Sequence, residues 1–128
     1  MSNIPDTLKY SKSHEWVRID GETAIVGITD HAQHELTDIV FVELPQLGRQ
    51  LAAGDACAVV ESVKSASDIN TPVAGEVIEV NTALVDSPEK VNDSPYVDGW
   101  FFKLQLTGEL ESGTLLDAAQ YDAEIGEV

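Results

Sequence analysis

Hydrophobic and polar positions alternate along most of the chain with a period of two, which is typical of half-buried β-strands. Residues 15–20, EWVRID, alternate in this way and are followed by an Asp20-Gly21 turn signal and by TAIVGIT at residues 23–29. This order predicts a β-hairpin. Further strands are predicted in DIVFVELP (38–45), ACAVVES (56–62), SASDIN (65–70), EVIEVN (76–81) and WFFKLQL (100–106).

Helical patterns are short and lie between or after these strands. Residues 30–36, DHAQHEL, predict a short helix with Thr29 as its N-cap. Residues 82–99 contain two prolines and a glycine, which predict a loop with at most one helical turn. The tail from Gly113 predicts a C-terminal helix. The side chains expected to face the body from this tail are Leu115, Leu116, Ala119 and Tyr121.

The number of strands and the length of the chain favour a small β-rich domain. Six or more short strands with frequent turns indicate a sandwich or flattened barrel. A chain of 128 residues fits one domain, spanning residues 1–128. The N-terminus shows neither a basic-then-apolar signal nor an Arg-rich transit pattern, so a cytoplasmic location is expected.

The charge is strongly acidic, with 23 Asp and Glu against 7 Lys and Arg and a net charge of −16. This balance argues against nucleic acid and anionic membranes as partners, because both attract positive charge. It favours protein partners with basic docking surfaces. The single cysteine, Cys57, lies among small apolar residues and is expected to be a buried structural thiol.

Catalytic and metal sites find little support in the sequence. No motif places a serine or cysteine nucleophile with any of the three histidines, so an enzyme is not expected. His31 and His34 are spaced for metal binding on the predicted helix, with Glu35 and Asp38 nearby. A solvated helix face explains the same spacing and is the preferred interpretation.

Lys64 is the position that most demands a functional explanation. It is the only lysine between Lys12 and Lys90, and it lies in VVESVKSASD at the predicted tip of a hairpin. The tip lacks Gly, Asn and Pro, the usual residues of tight turns. A long lysine stem on a rigid hairpin is a suitable attachment point for a covalently bound arm.

The segment ESVKSASD resembles the lipoyl-attachment motif of the glycine cleavage system H protein family. The resemblance extends in order along nearly the whole chain, with two departures at Thr37 and Ser65, where relatives often have glycine and alanine. The other matching segments are SHEWVR (13–18), VGIT (26–29), DIVFVELP (38–45), PVAGEVIEVN (72–81) and VNDSPYVDGW (91–100).

The resemblance implies that Lys64 carries lipoate in amide linkage and that the protein is a carrier rather than an enzyme. Its partners would be glycine decarboxylase, an aminomethyltransferase and dihydrolipoyl dehydrogenase, together with lipoate-attaching enzymes. The lipoyl arm would carry an aminomethyl intermediate from the decarboxylase to the aminomethyltransferase. By resemblance, Ser13, Glu15 and Asp68 contact this loaded arm. The implied fold is the mainly-β barrel-sandwich hybrid of lipoyl and biotinyl carriers, with short peripheral helices and a C-terminal helix.

Three related interpretations differ in what the lysine carries or serves. A lipoyl domain of a 2-oxoacid dehydrogenase typically shows DKA at the lysine, whereas this chain has Val63-Lys64-Ser65. A biotinyl carrier would have methionine on both sides. A relay protein that passes lipoyl groups to other lipoate-dependent enzymes would use the same attachment chemistry and remains an alternative.

Overall fold

The computed structural model describes residues 4–106 and 115–125, which form two antiparallel sheets and short helices. The mainly-β prediction is therefore confirmed. None of the helices within these ranges is long and apolar enough to cross a membrane. The strands are β1 (Lys9–Tyr10), β2 (Glu15–Asp20), β3 (Thr23–Ile28), β4 (Ile39–Glu43), β5 (Gln50–Leu51), β6 (Ala56–Ser62), β7 (Ala66–Asn70), β8 (Gly75–Val80) and β9 (Phe102–Leu106). The helices are α1 (Asp30–Leu36), α2 (Ala83–Asp86), α3 (Lys90–Asp93) and α4 (Ala118–Ile125).

The two sheets differ in size and share one apolar core. The larger sheet has the strand order β1-β2-β3-β9-β8-β5, and the smaller has the order β4-β6-β7. Buried side chains from both sheets belong to the same hydrophobic cluster. Its members from the larger sheet include Val17, Val26, Val77, Phe102 and Leu104, and those from the smaller include Val42, Ala58, Val60 and Ile69.

The first hairpin forms as predicted. Strands β2 and β3 pair from Glu15 opposite Ile28 to Asp20 opposite Thr23, which leaves a two-residue loop. Gly21 begins this loop with φ of 61°, a conformation that glycine adopts without steric cost.

A second, aromatic cluster joins β1 and β2 to the C-terminal helix. Trp16 is fully buried, and its Nε1 donates a hydrogen bond to the carbonyl of Pro95 at 2.9 Å. Tyr10 stacks on Tyr121 of α4 with ring centroids 4.8 Å apart. The stacking of Tyr10 on Tyr121 places α4 beside β1.

Helix α1 forms as predicted, whereas residues 82–99 differ from the prediction. Helix α1 has the predicted bounds, and the Thr29 hydroxyl caps it by accepting from the backbone N–H of Ala32 at 3.2 Å. Residues 82–99, predicted to hold at most one helical turn, contain both α2 and α3. Each of these turns ends before a proline and buries one side chain, Leu84 or Val91, against the core. The prolines therefore end the turns without preventing them.

The C-terminal helix exists but begins later than predicted, at Ala118; Gly113 lies outside the described residues. Leu116 precedes the helix because its backbone forms a β-bridge with Tyr10. Tyr121 is buried as predicted, whereas Ala119 is exposed, so the prediction for Ala119 is wrong.

Thr37 ends α1 in a backbone conformation that favours glycine. Its φ and ψ are 67° and −147°, a region that β-branched residues adopt only under strain. Two hydrogen bonds hold Thr37 in this conformation. The Thr37 N–H donates to the carbonyl of Gln33 at 2.9 Å, and Asn92 Nδ2 donates to the carbonyl of Thr37 at 2.8 Å.

Thr37→Gly is therefore expected to raise the free energy of unfolding by about 1 kcal/mol, the relieved strain minus the entropy cost of glycine. Thr37→Ala is the matched control, because it removes the exposed side chain but keeps the Cβ atom that causes the strain. Urea unfolding of both variants measures the effect. Equal stability of the glycine and alanine variants would show that Thr37 is not strained.

Candidate functional site

Lys64 lies at the tip of the hairpin formed by β6 and β7, as predicted. Residues 63–65 connect the two strands, and both Val63 and Lys64 are exposed. The side-chain oxygen of Ser62 closes the turn by accepting hydrogen bonds from the N–H groups of Lys64 and Ser65, at 3.3 and 3.1 Å. The Ser62 N–H in turn donates to the carbonyl of Ser65 at 2.7 Å.

This serine explains why the tip needs no Gly, Asn or Pro. A serine hydroxyl that accepts from the backbone two and three residues later supplies the turn through its side chain. A further bond, from the N–H of Val63 to the carbonyl of Asp38 at 3.1 Å, ties the tip to the segment before β4. The lysine therefore projects from a backbone that is held on both sides.

Glu15 is a buried carboxylate held by several donors. It begins β2 and is 2% exposed. Its Oε1 accepts hydrogen bonds from the hydroxyls of Ser11, at 2.6 Å, and Ser13. Its Oε2 accepts from the backbone N–H of Asn70, the last residue of β7, at 3.3 Å.

The pKa of Glu15 is raised above its ordinary value. Burial is the dominant cause, because it penalises the charged form, while the hydrogen bonds from Ser11, Ser13 and Asn70 act in the opposite direction. A cation placed beside this carboxylate would compensate its burial and favour the ionised form. Glu15 thus has the properties of an acceptor for a positively charged group.

A cavity of about 150 Å³ lies between β7, α1 and the start of β2, and we call it the Glu15 pocket. It brings together Ser13, Glu15 and Asp68, the three residues that the resemblance implies. Apolar side chains form much of its wall. The remaining lining residues are His14, Ile28, Ala32, Glu35, Leu36, Val60, Ser67 and Ile69.

The pocket is within reach of an arm attached at Lys64. Asp68 is four residues along the chain from Lys64, which corresponds to about 13 Å of extended strand. A lysine side chain extended by an eight-carbon acyl group is of comparable length. Asp68 and Ser13 are exposed at the rim, whereas Glu15 is buried.

Comparison with known proteins identifies the family. Residues 8–128 match the family model described as "Glycine cleavage H-protein". The chain belongs to this family. It is 58% identical over 124 residues to the glycine cleavage system H protein of Salmonella arizonae, covering 96% of each chain. It is 56% identical over 125 residues to that of Alcanivorax borkumensis, covering 98% of each chain.

A solved structure of the same family agrees with the fold. The crystal structure of a glycine cleavage system H protein from Mycobacterium marinum superposes with a TM-score of 0.87 at 40% identity. The match covers 97% of this chain and all of the other. The arrangement of sheets described above is therefore the arrangement of this family.

Two residues of the site were missed in the sequence: Ser11, which bonds to Glu15, and Ser67, which lines the Glu15 pocket. Ser11 shares the Glu15 carboxylate with Ser13, and its spacing of four residues from Glu15 gives no local signal. Ser67 contributes to the pocket from β7, in the cross-strand row of Val60. Because successive side chains of a strand point to opposite faces, the strand pattern could have placed Ser67 on the face opposite to that of Asp68.

The histidines are arranged differently from a metal site. His31 Nε2 lies 3.6 Å from Glu35 Oε1, and its ring lies 4.9 Å from that of His14. His34 is exposed. Within residues 4–106 and 115–125, no group of three or more His, Cys, Asp or Glu side chains could hold a metal ion.

Cys57 is buried in β6 of the smaller sheet, as expected for a structural thiol. Its Sγ donates to the carbonyl of Ile69 at 3.5 Å. Burial raises the pKa of Cys57 to about 12, so the nucleophilic thiolate is scarce at neutral pH.

His14 links the pocket to α4, and its surroundings disfavour its charged form. It adopts φ of 73°, its Nδ1 lies 2.9 Å from the Tyr121 hydroxyl, and that hydroxyl lies 2.7 Å from the Thr29 hydroxyl. The pKa of His14 is lowered by burial and then by the neighbouring His31, while Glu35 and Glu124 act in the opposite direction. The folded protein therefore resists protonation of His14 more than the unfolded chain does.

This asymmetry predicts a loss of stability in mild acid. As the pH falls below the ordinary histidine pKa of 6.5, the unfolded chain takes up a proton at His14 before the folded protein does. The His14→Asn variant should therefore lose less free energy of unfolding than the parent between about pH 7 and pH 5. Asparagine tolerates the positive φ.

His34→Asn is the matched control, because His34 is exposed on α1. It should lose as much stability as the parent protein over the same range. Urea unfolding of all three proteins at both pH values measures the loss in the free energy of unfolding. The contributions of the carboxylates are the same in all three proteins and cancel in the comparison. Equal losses in the three proteins would contradict the role assigned to His14.

Proposed function

We propose that this protein is the lipoyl-carrying shuttle of a glycine cleavage system and that Lys64 is its attachment site. The observation that carries the proposal is the position of Lys64: exposed on a rigid, serine-capped hairpin whose second strand borders the Glu15 pocket. Family membership supports the same function. When attached, the lipoyl group would supply a disulfide that takes up the aminomethyl unit derived from glycine on one sulfur and is left as a dithiol once that unit is removed.

The residues around Lys64 fit such an arm. An enzyme can reach the amine because neither Val63 nor Lys64 is buried. Acylation removes the positive charge of the lysine and extends its side chain. The hydrogen bonds of Ser62 hold the backbone, so the arm moves while its base stays in place.

The Glu15 pocket fits the loaded end of the arm, which carries a cationic amine. Glu15 would accept hydrogen bonds from the ammonium group, with Ser13 orienting the carboxylate. Asp68 at the rim would add a second negative charge. The apolar side chains Ile28, Leu36 and Val60 would exclude water from the labile end.

The chain itself needs no catalytic group for this task. The partners would be glycine decarboxylase, the aminomethyltransferase and dihydrolipoyl dehydrogenase, together with the enzymes that attach lipoate. The net charge of −16 favours docking on basic surfaces of these proteins. The setting proposed for this cycle is the bacterial cytoplasm.

Glycine turnover with purified components tests the function. The lipoylated protein, mixed with the three enzymes, glycine, tetrahydrofolate and NAD⁺, should support glycine-dependent formation of CO₂ and NADH. The unlipoylated protein should support neither. If the lipoylated protein fails in this assay but passes its lipoyl group to another lipoyl domain, its function is that of a relay and not of a shuttle.

A further inference from the structure

Three exposed apolar side chains gather at the end of the smaller sheet that carries Lys64. Val40, Phe41 and Val63 are 54%, 46% and 67% exposed. Val40 and Phe41 belong to β4, and Val63 lies beside the start of β4 because its N–H bonds to the carbonyl of Asp38. We call these three residues the tip patch.

Acidic residues surround the tip patch. Phe41 lies directly opposite Glu61 in the pairing of β4 with β6. Asp38 precedes β4 and Glu43 ends it. Lys64 is the only basic residue in the sequence of residues 38–43 and 56–70. The surface around the lysine therefore combines an apolar centre with a negative rim.

The fold does not require apolar side chains at these positions. Val40 and Phe41 are absent from the buried core, whose β4 members are Ile39 and Val42. Edge strands usually carry charged side chains that prevent association, and β4 is an edge of its sheet. Exposed apolar residues in such a place mark a surface that another protein covers.

We propose that the tip patch is the docking surface for the enzyme that acylates Lys64, a partner with an apolar mouth and a basic rim. This inference rests on the proposed function. The enzyme supplies the lipoyl group as an acyl adenylate, the mixed anhydride formed from lipoate and ATP with release of pyrophosphate. The deprotonated lysine nitrogen bonds to the acyl carbon, the activating group leaves with its electron pair, and the nitrogen loses a proton as the amide forms.

The reach of the lysine selects this occupant over the others. Nζ lies within about 6 Å of the lysine Cα, a distance of five covalent bonds. An active site that comes so close to the tip must cover Val63 and the neighbouring residues of β4. Enzymes that act on the far end of an acylated arm can stand further away.

The kinetics of acylation test the proposal. The variants are Val63→Ser and Phe41→Ser, and the matched controls are Val97→Ser and Ile78→Ser, whose native side chains are 67% and 42% exposed. Each unlipoylated protein is titrated into a lipoate ligase with lipoate and ATP, and intact mass reports the product. We expect KM for the carrier to rise about tenfold in each tip-patch variant, with kcat unchanged.

The controls should stay within about twofold of the parent KM, since surface substitutions away from an interface have small effects. Thermal unfolding checks that each variant is folded, and Phe41→Thr repeats the test with a residue that favours strands. Parent-like KM values in the tip-patch variants would overturn the proposal. So would weakened glycine turnover of the lipoylated variants with parent-like acylation, which would assign the patch to the other enzymes.

Failure of the docking proposal can be distinguished from failure of the proposed function. If the parent protein is acylated at Lys64 but the tip-patch variants behave like the controls, only the docking surface is wrong. If the parent protein is not acylated at all, the proposed attachment site and the proposed docking surface are both wrong.

Discussion

Lys64→Arg is expected to abolish glycine turnover while leaving the protein folded. Arginine keeps the positive charge and the long stem, but its guanidinium group does not accept an acyl chain under the conditions that modify an amine. Lys64 is exposed, so the free energy of unfolding should change by no more than about 0.5 kcal/mol. The measurement is NADH formation with the three partner enzymes after incubation with lipoate ligase, lipoate and ATP.

Lys12→Arg serves as the control, because Lys12 is also exposed and lies outside the hairpin. This variant should support turnover at the parent rate. Turnover by the Lys64→Arg protein above the rate seen without any carrier would show that the arm is attached elsewhere.

Glu15→Gln is expected to leave lipoylation intact and to shorten the lifetime of the loaded arm by about 10- to 100-fold. That range corresponds to the loss of a hydrogen bond to a charged partner in a buried site, about 1.5–3 kcal/mol. Glutamine keeps the size of the side chain and an oxygen for the hydroxyls of Ser11 and Ser13. It removes the negative charge that faces the cationic amine.

The lifetime is measured as release of formaldehyde from the loaded protein in the absence of the transferase. Glu79→Gln is the control, because Glu79 is an exposed carboxylate of β8 in the larger sheet. Equal lifetimes for Glu15→Gln and the parent protein would show that Glu15 does not protect the loaded arm.

The protection that Glu15 gives should depend on pH in a defined direction. Burial raises the pKa of Glu15, and only the ionised carboxylate attracts the amine. The ratio of parent to Glu15→Gln lifetimes should therefore be largest where Glu15 is ionised and approach one as the pH falls and the carboxylate becomes protonated. Taking the ratio cancels the intrinsic pH dependence of the arm.

Much of the fold was predictable because its signals are local. Alternation located β2, β3, β4 and β6 to β9, and Thr29 marked the start of α1. The two-residue strands β1 and β5 are too short to show a period, and distant partners define them. The late start of α4 likewise follows from a tertiary contact, the bridge between Leu116 and Tyr10.

The candidate site also has a part that local sequence signals indicate and a part that depends on tertiary packing. Lys64 was identifiable from its isolation and from the family motif, and the hairpin places it at the predicted tip. The meeting of Glu15 with Asp68 depends on packing between β2 and β7, which the residues alone did not indicate. Ser11 and His14 join the site through side-chain contacts that no spacing rule describes.

The most direct test of the central claim is peptide mass spectrometry of the folded protein after incubation with a lipoate ligase, lipoate and ATP. We expect one lipoyl increment, confined to the peptide that contains Lys64 and absent from the Lys64→Arg protein. No increment, or an increment on another lysine, would contradict the assignment of Lys64 as the attachment site.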